Sequence, residues 1–141
     1  MPKPAHVMIV EDDLVDVEIV KRSIRGRKLE YSLQAVSNGH EALQVLRGDE
    51  LTPSQRECLI VLLDINMPGM NGHQFLDELR SDPLLSRTIV FMLTTSDHVR
   101  DRAQAYDRNV AGYFVKSNIN GLLDTVAAYV DHVEFPPAYS V

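Results

Sequence analysis

The sequence predicts an α/β fold in which one parallel five-stranded sheet is covered by helices on both faces. Two observations carry this. Five short apolar runs, over residues 6–10, 31–36, 59–63, 88–93 and 111–115, alternate with five stretches whose apolar residues recur at helical spacing. Most of these runs are apolar almost throughout, as strands buried on both faces require. At 141 residues the chain has the size of one domain, so a single unit without a second module is expected.

The first strand ends in acids, and Leu14, Val17, Val20 and Ile24 then mark a helix over 14–27. After the strand at 31–36, Asn38 with Glu41 three residues later opens a helix that buries Ala42, Val45 and Leu46. The polar stretch 48–57 predicts a loop, the longest connection, before the strand at 59–63. Asn66-Met67-Pro68-Gly69-Met70-Asn71-Gly72 is rich in turn residues, and Asn71 can cap a helix that turns Phe75, Leu76 and Leu79 inward and stops at Asp82-Pro83. Ser96 is expected to cap a helix reaching about Asp107, with Val99, Ala103 and Tyr106 on one side. Ile119, Leu122, Leu123, Val126, Ala127 and Val130 define the last helix, and Pro136-Pro137 should leave the tail extended.

Composition excludes several classes. Hydrophobic residues at 45% and charged residues at 24% describe a packed globule, not a disordered chain. Fourteen basic against 20 acidic residues give a net charge of −6, which repels a phosphate backbone, so no direct DNA binding is expected. The single cysteine, Cys58, reads as a small buried hydrophobe, and with no apolar signal segment near Met1 a cytoplasmic location is expected. The apolar runs are too short to span a bilayer, so no membrane insertion is expected. His6, His40, His73, His98 and His132 lack a metal-ligand spacing.

In a sheet of this kind ligands bind beyond the carboxyl ends of the strands. The residues there are Glu11-Asp12-Asp13 after the first strand, Asp64 after the third, Thr94-Thr95-Ser96 after the fourth and Lys116 after the fifth. Gathered carboxylates repel one another unless a cation sits among them, and hard oxygen ligands suit Mg²⁺. Asp64 is the carboxylate nucleophile this pattern offers, with Lys116 and Thr94 placed to hold phosphoryl oxygens. A plainer reading makes the 11–13 run favourable helix-dipole chemistry and nothing more.

Val10-Glu11-Asp12, the run from Leu63 to Gly72, Leu93-Thr94-Thr95-Ser96 and Gly112-Tyr113-Phe114-Val115-Lys116, in that order, resemble the receiver domain of two-component response regulators. The likeness covers a core over 5–133, leaving 134–141 as a C-terminal extension, and it is similar in design to a single-domain chemotaxis regulator. It implies a flavodoxin-like doubly wound (βα)5 sheet in strand order 2-1-3-4-5. It further implies that Asp64 is the phosphoacceptor and that Asp12, Glu11 through water, Asp64 and the Asn66 carbonyl hold Mg²⁺ or Mn²⁺. Thr94 and Tyr113 match the switch pair, and Lys116 the phosphate-pairing lysine. The implied function is a phosphoacceptor that signals through protein contacts and is not a turnover enzyme. Its implied partner is a histidine kinase or a phosphotransfer protein.

The long segment before the third strand, Ala105-Tyr106 and the C-terminal extension resemble the regulators that partner bacterial phytochrome kinases. One departure is Ser117, where the family usually has proline after the lysine in a cis peptide. The alternative from the enzyme class is a Mg²⁺-dependent phosphohydrolase, but such enzymes carry a second acid where this chain has Asn66. A homodimer is expected through the fourth helix, fifth strand and fifth helix, because the last helix carries a broad apolar stripe from Leu122 to Val133 and Phe135 and Tyr139 follow it.

Overall fold

The computed structural model describes residues 3–137. Five strands, β1 (His6–Val10), β2 (Ser32–Val36), β3 (Leu59–Leu63), β4 (Ile89–Thr94) and β5 (Gly112–Val115), form one parallel sheet in the order β2-β1-β3-β4-β5. Around it lie α1 (Leu14–Gly26), α2 (Gly39–Arg47), α3 (Pro53–Glu57), α4 (Gly72–Ser81), α5 (Val99–Asp107) and α6 (Ile119–His132). Helices on both faces and this strand order are those of the flavodoxin-like receiver fold expected from the sequence.

Side chains alternate along each strand, and the sheet therefore separates two cores. Met8, Val10, Val61, Leu63, Val90 and Met92 point to one face, where Leu43 and Leu46 of α2, Phe75, Leu76 and Leu79 of α4 and Ala105 of α5 meet them. Val7, Ile9, Ile60, Leu62, Phe91 and Leu93 point to the other, against Val17, Val20 and Ile24 of α1 and Leu122, Leu123, Val126 and Val130 of α6. Apolar residues on both faces are what made the central strands read as continuous runs. The edge strand β2 is exposed at Ser32 and Ala35.

Five expectations need correction. Residues 53–57 form a short helix, not loop: Thr52 accepts from the Gln55 amide at 3.1 Å, Gln55 Oε1 accepts from the Thr52 amide at 2.9 Å, and Pro53 takes the first helical position. Ser96 does not cap α5; the N-cap is His98, without a side-chain cap hydrogen bond. The Val99, Ala103 and Tyr106 side of α5 faces solvent, and Leu14 of α1 is exposed as well. Cys58 is half-buried, with its thiol 3.3 Å from the Ser54 carbonyl.

The turn between β3 and α4 is built to a tight tolerance. Asn71 caps α4 by accepting from the Gln74 amide at 2.9 Å, and Gln74 Oε1 returns a bond to the Asn71 amide at 2.9 Å. Gly69 supplies a positive φ of 75°. Gly72 lies so close to the strand end that a Cβ there would sit 2.5 Å from the Asp64 carbonyl oxygen and 2.9 Å from Ile65 Cα. Backbone cannot yield as a flexible side chain would. Gly72→Ala is therefore expected to destabilise by about 1–3 kcal/mol in urea unfolding, whereas Gly26→Ala, with nothing within 4 Å of its Cβ position, should cost nothing.

Candidate functional site

The parallel register delivers the strand ends together. Val10 of β1 pairs with Leu63 of β3, and the Asp64 amide continues the ladder by donating to the Val10 carbonyl at 3.1 Å. From β1 the chain crosses to β2 on one side, while β3 lies on the other, so the sheet order reverses between β1 and β3. A crevice opens at such a switch point, beyond the carboxyl ends of the strands. Glu11 and Asp64 are the first residues past those two ends, and Lys116 is the first past β5.

Glu11, Asp12 and Asp64 each offer a carboxylate oxygen within 4.8 Å of the others. Glu11 and Asp64 are buried, at 6% and 5% exposure, and Asp12 is exposed. Lys116 reaches in from the far strand: its Nζ pairs with Glu11 and lies 2.7 Å from Asp16 Oδ2 and 3.4 Å from Asp64 Oδ2. One ammonium thus serves three carboxylates, with Asp12 beside them. The Asp64 Oδ1 atom is oriented separately, accepting from the Ile65 amide at 2.8 Å.

The electrostatics follow from this count. Burial, with the charge of Asp64 adding to it, pushes the Glu11 carboxyl up from 4.5 to about 7, against the opposing pull of Lys116. Burial opposes the charge on Lys116, but its hydrogen bonds to Asp16 and Glu11 and the charge of Asp64 together raise it above the ordinary lysine range. These groups line one end of a cavity of about 280 Å³ whose other walls include Ile9, Val20, Leu62, Leu93 and Ile119. A divalent cation among Glu11, Asp12 and Asp64 would relieve the excess negative charge, and the all-oxygen donor set fits a hard ion.

Asn66 stands exposed in the turn two residues past Asp64. Thr94 is fully buried at the end of β4, and its Oγ1 accepts from the Ser96 amide at 3.4 Å. Tyr113 is half-buried on β5, and its hydroxyl donates to the Ser96 carbonyl at 2.7 Å. The structure therefore links Thr94 and Tyr113 through Ser96. Asp16 was not anticipated. It lies in the first turn of α1, four residues after Asp12, and its carboxylate reaches Lys116 Nζ. His6 spends its ring on Ser32 Oγ at 2.6 Å and Gln34 Oε1 at 3.1 Å, so it is a paired core histidine. The Lys116–Ser117 peptide is trans.

Residues 7–127 match the family model of the response regulator receiver domain. The chain belongs to that family. It is 28% identical to response regulator Rcp1 of Synechocystis over 124 residues, which is 87% of this chain and 84% of Rcp1. It is 32% identical over 114 residues to the nitrate/nitrite response regulator NarL of Escherichia coli, where it spans 81% of itself but 49% of NarL. Among solved structures, the Mn²⁺-bound form of Rcp1 superposes with a TM-score of 0.76 at 28% identity, covering 95% of this chain and 100% of Rcp1. The phosphorylated cyanobacterial phytochrome response regulator RcpA superposes with a TM-score of 0.75 at 27% identity, covering 96% and 99% of the two chains.

The raised Glu11 carboxyl makes a pH-dependent expectation for this receiver. A carboxyl that holds its proton more tightly when folded contributes stability below its unfolded value of 4.5, and that contribution is lost as pH rises through about 7. Cation binding must displace the same proton, so Mg²⁺ affinity should strengthen as pH rises through about 7 and level off above it. Calorimetric titration across that range should show the dependence in the wild type, and Glu11→Gln should flatten it.

Proposed function

We propose that Asp64 accepts a phosphoryl group from a phosphohistidine and that the chain then signals by changed protein contacts. The observation that carries this reading is the placement of Asp64 at the switch crevice, buried and flanked by Lys116 and two further acids. In the transfer an Asp64 carboxylate oxygen forms a bond to phosphorus while the phosphorus–nitrogen bond breaks, and the imidazole leaves with that electron pair. Asp12, Asp64 and the Asn66 carbonyl, with Glu11 behind them, would hold the divalent ion, Mg²⁺ or Mn²⁺. When bound, such an ion offsets the negative charge of the transferring phosphoryl oxygens.

The chain's own residues supply the rest. Lys116 is free to exchange a carboxylate for a phosphoryl oxygen, since it already holds three acidic partners. Thr94 can offer its hydroxyl by giving up the weak 3.4 Å contact with the Ser96 amide. Tyr113 then repositions beside it. Asn66 stands where a phosphohydrolase would need a second acid, which supports a retained phosphoryl group and an acceptor instead of a turnover enzyme.

The donor proposed is a histidine kinase or phosphotransfer protein, of the phytochrome-sensor type on the strength of the likeness to RcpA and Rcp1. The chain is read as one receiver unit, with a core over 5–133 and an extension over 134–141, acting in the cytoplasm. No helix among the described residues is long and apolar enough to cross a membrane, and a net charge of −6 supports action without direct DNA contact.

We further propose the homodimer, through α5, β5 and α6. The reason differs from the one read in the sequence. The apolar stripe of α6 is consumed internally: Leu122, Leu123, Val126 and Val130 are buried, and Tyr129 packs edge-on against Phe91 at 5.9 Å and Phe135 at 5.4 Å. Support comes instead from α5, where Val99 and Tyr106 are 70% and 49% exposed, and from Val133 at the end of α6. Tyr139 lies outside the described residues.

Acetyl phosphate with Mg²⁺ tests the reading. Intact mass should show one added phosphoryl group in the wild type and none in Asp64→Ala or in EDTA. Lys116→Ala should lose most of the label yet bind Mg²⁺ at least as well, because it frees three carboxylates. Label that persists in Asp64→Ala overturns the assignment. Light scattering on the same samples should give a dimer at tens of micromolar; a monomer with and without label overturns the dimer.

A further inference from the structure

Ser96 is a junction. Its amide donates to Thr94 Oγ1 at 3.4 Å, its carbonyl accepts from the Tyr113 hydroxyl at 2.7 Å, and its own hydroxyl donates to Asp101 Oδ2 at 2.5 Å. The other Asp101 oxygen faces His73 Nε2 at 3.1 Å. His73 is the second residue of α4, next to Gly72, which packs against the Asp64 backbone. A continuous chain of contacts thus runs from the turn carrying Asp64, through His73, Asp101 and Ser96, to the Thr94–Tyr113 pair.

Two features show that this chain is not incidental to helix packing. Asp101 is the third residue of α5, the position whose acid ordinarily turns back to cap the helix start. Here the carboxylate goes to Ser96 and His73 instead, the His98 side chain makes no cap hydrogen bond, and the His98 amide donates to the Ser96 hydroxyl at 3.4 Å. His73 in turn leaves Nδ1 buried without a partner. An apolar residue would fill that place with no orphaned atom, so the useful atom is Nε2. A carboxylate only accepts, which places the hydrogen on Nε2 and fixes the tautomer. The Ser96 and His73 bonds hold the Asp101 carboxyl below the usual carboxylate range.

We propose that Asp101, anchored by His73, is a positioning residue that acts through Ser96 to hold the Thr94–Tyr113 pair in its resting arrangement. The proposal rests on the receiver reading above, in which Thr94 must leave the Ser96 amide and Tyr113 must move. Both movements are resisted as long as the Ser96 hydroxyl is tied to α5. Loosening the tie should free the Tyr113 ring before any phosphoryl group arrives.

The test uses the full chain labelled with fluorotyrosine, which carries five tyrosines, and assigns the Tyr113 signal with Tyr113→Phe. Ser96→Ala is the decisive variant, since it keeps the amide and carbonyl that contact Thr94 and Tyr113 and removes the hydroxyl alone. Asp101→Ala breaks both bonds, and Asp101→Asn keeps an acceptor for one donor. In unphosphorylated protein the Tyr113 signal should move off the wild-type position in Ser96→Ala and Asp101→Ala and part way in Asp101→Asn. The Tyr31 and Tyr129 signals, which belong to the opposite core, should stay. A purely structural role would lower the unfolding midpoint and leave Tyr113 in place. With acetyl phosphate and Mg²⁺ the variants should label several-fold faster. A Tyr113 signal unmoved in both alanine variants overturns the tie. A wild-type Tyr113 signal that ignores phosphorylation overturns the switch reading instead, and the first comparison still judges the tie.

Discussion

The site depends on a mismatch of charge: a single lysine ammonium is placed among three carboxylates, two of them buried. Two unit charges about 4 Å apart interact by about 4 kcal/mol at an effective dielectric constant of about 20, so each unmatched carboxylate matters on the scale of the whole protein's stability. Lys116 is held charged by these acids, and burial drives Glu11 toward its neutral form. A protein does not keep such an arrangement for stability, since buried ions are poor stabilisers. The same excess of negative charge would favour a divalent cation, and that cation with Lys116 would offset the charge of a phosphoryl group.

The fold exists, for this purpose, to bring the charges together. Glu11, Asp64 and Lys116 come from three strands whose sequence separations are long, and only a parallel register ends those strands at one edge. Two cores clamp the sheet from either side, so the carboxylates stand on a rigid platform. The approach of Gly72 to the Asp64 carbonyl then ties the turn that follows β3 to the strand end. Asp64 is thus fixed by backbone packing, while Ser96 is held by side-chain hydrogen bonds to Asp101 and Tyr113.

Strand-end residues were readable in the sequence because the inference needs only topology: once the runs are parallel strands, whatever follows them shares an edge. Glu11, Asp12, Asp64, Thr94 and Lys116 are all of this kind. Asp16 escaped because it lies on a helix, and only its spacing from Asp12 hints that it faces the crevice. The Asp101–His73 contact escaped because its partners lie 28 residues apart with no pattern joining them. The helix at 53–57 hid in a polar stretch, although Thr52-Pro53 with Gln55 spells its cap. The α5 stripe of Val99, Ala103 and Tyr106 has a helix period but no sign that tells inside from outside.

On the proposed reading, the unbalanced carboxylates at the switch point are the cation site on which phosphoryl acceptance rests. Anomalous diffraction from crystals grown with Mn²⁺ addresses it directly. One strong peak is expected in contact with the Asp12 and Asp64 carboxylates, with Lys116 shifted away from Asp64 to make room. A peak elsewhere with this crevice empty, at Mn²⁺ concentrations that saturate the protein in solution, would contradict it.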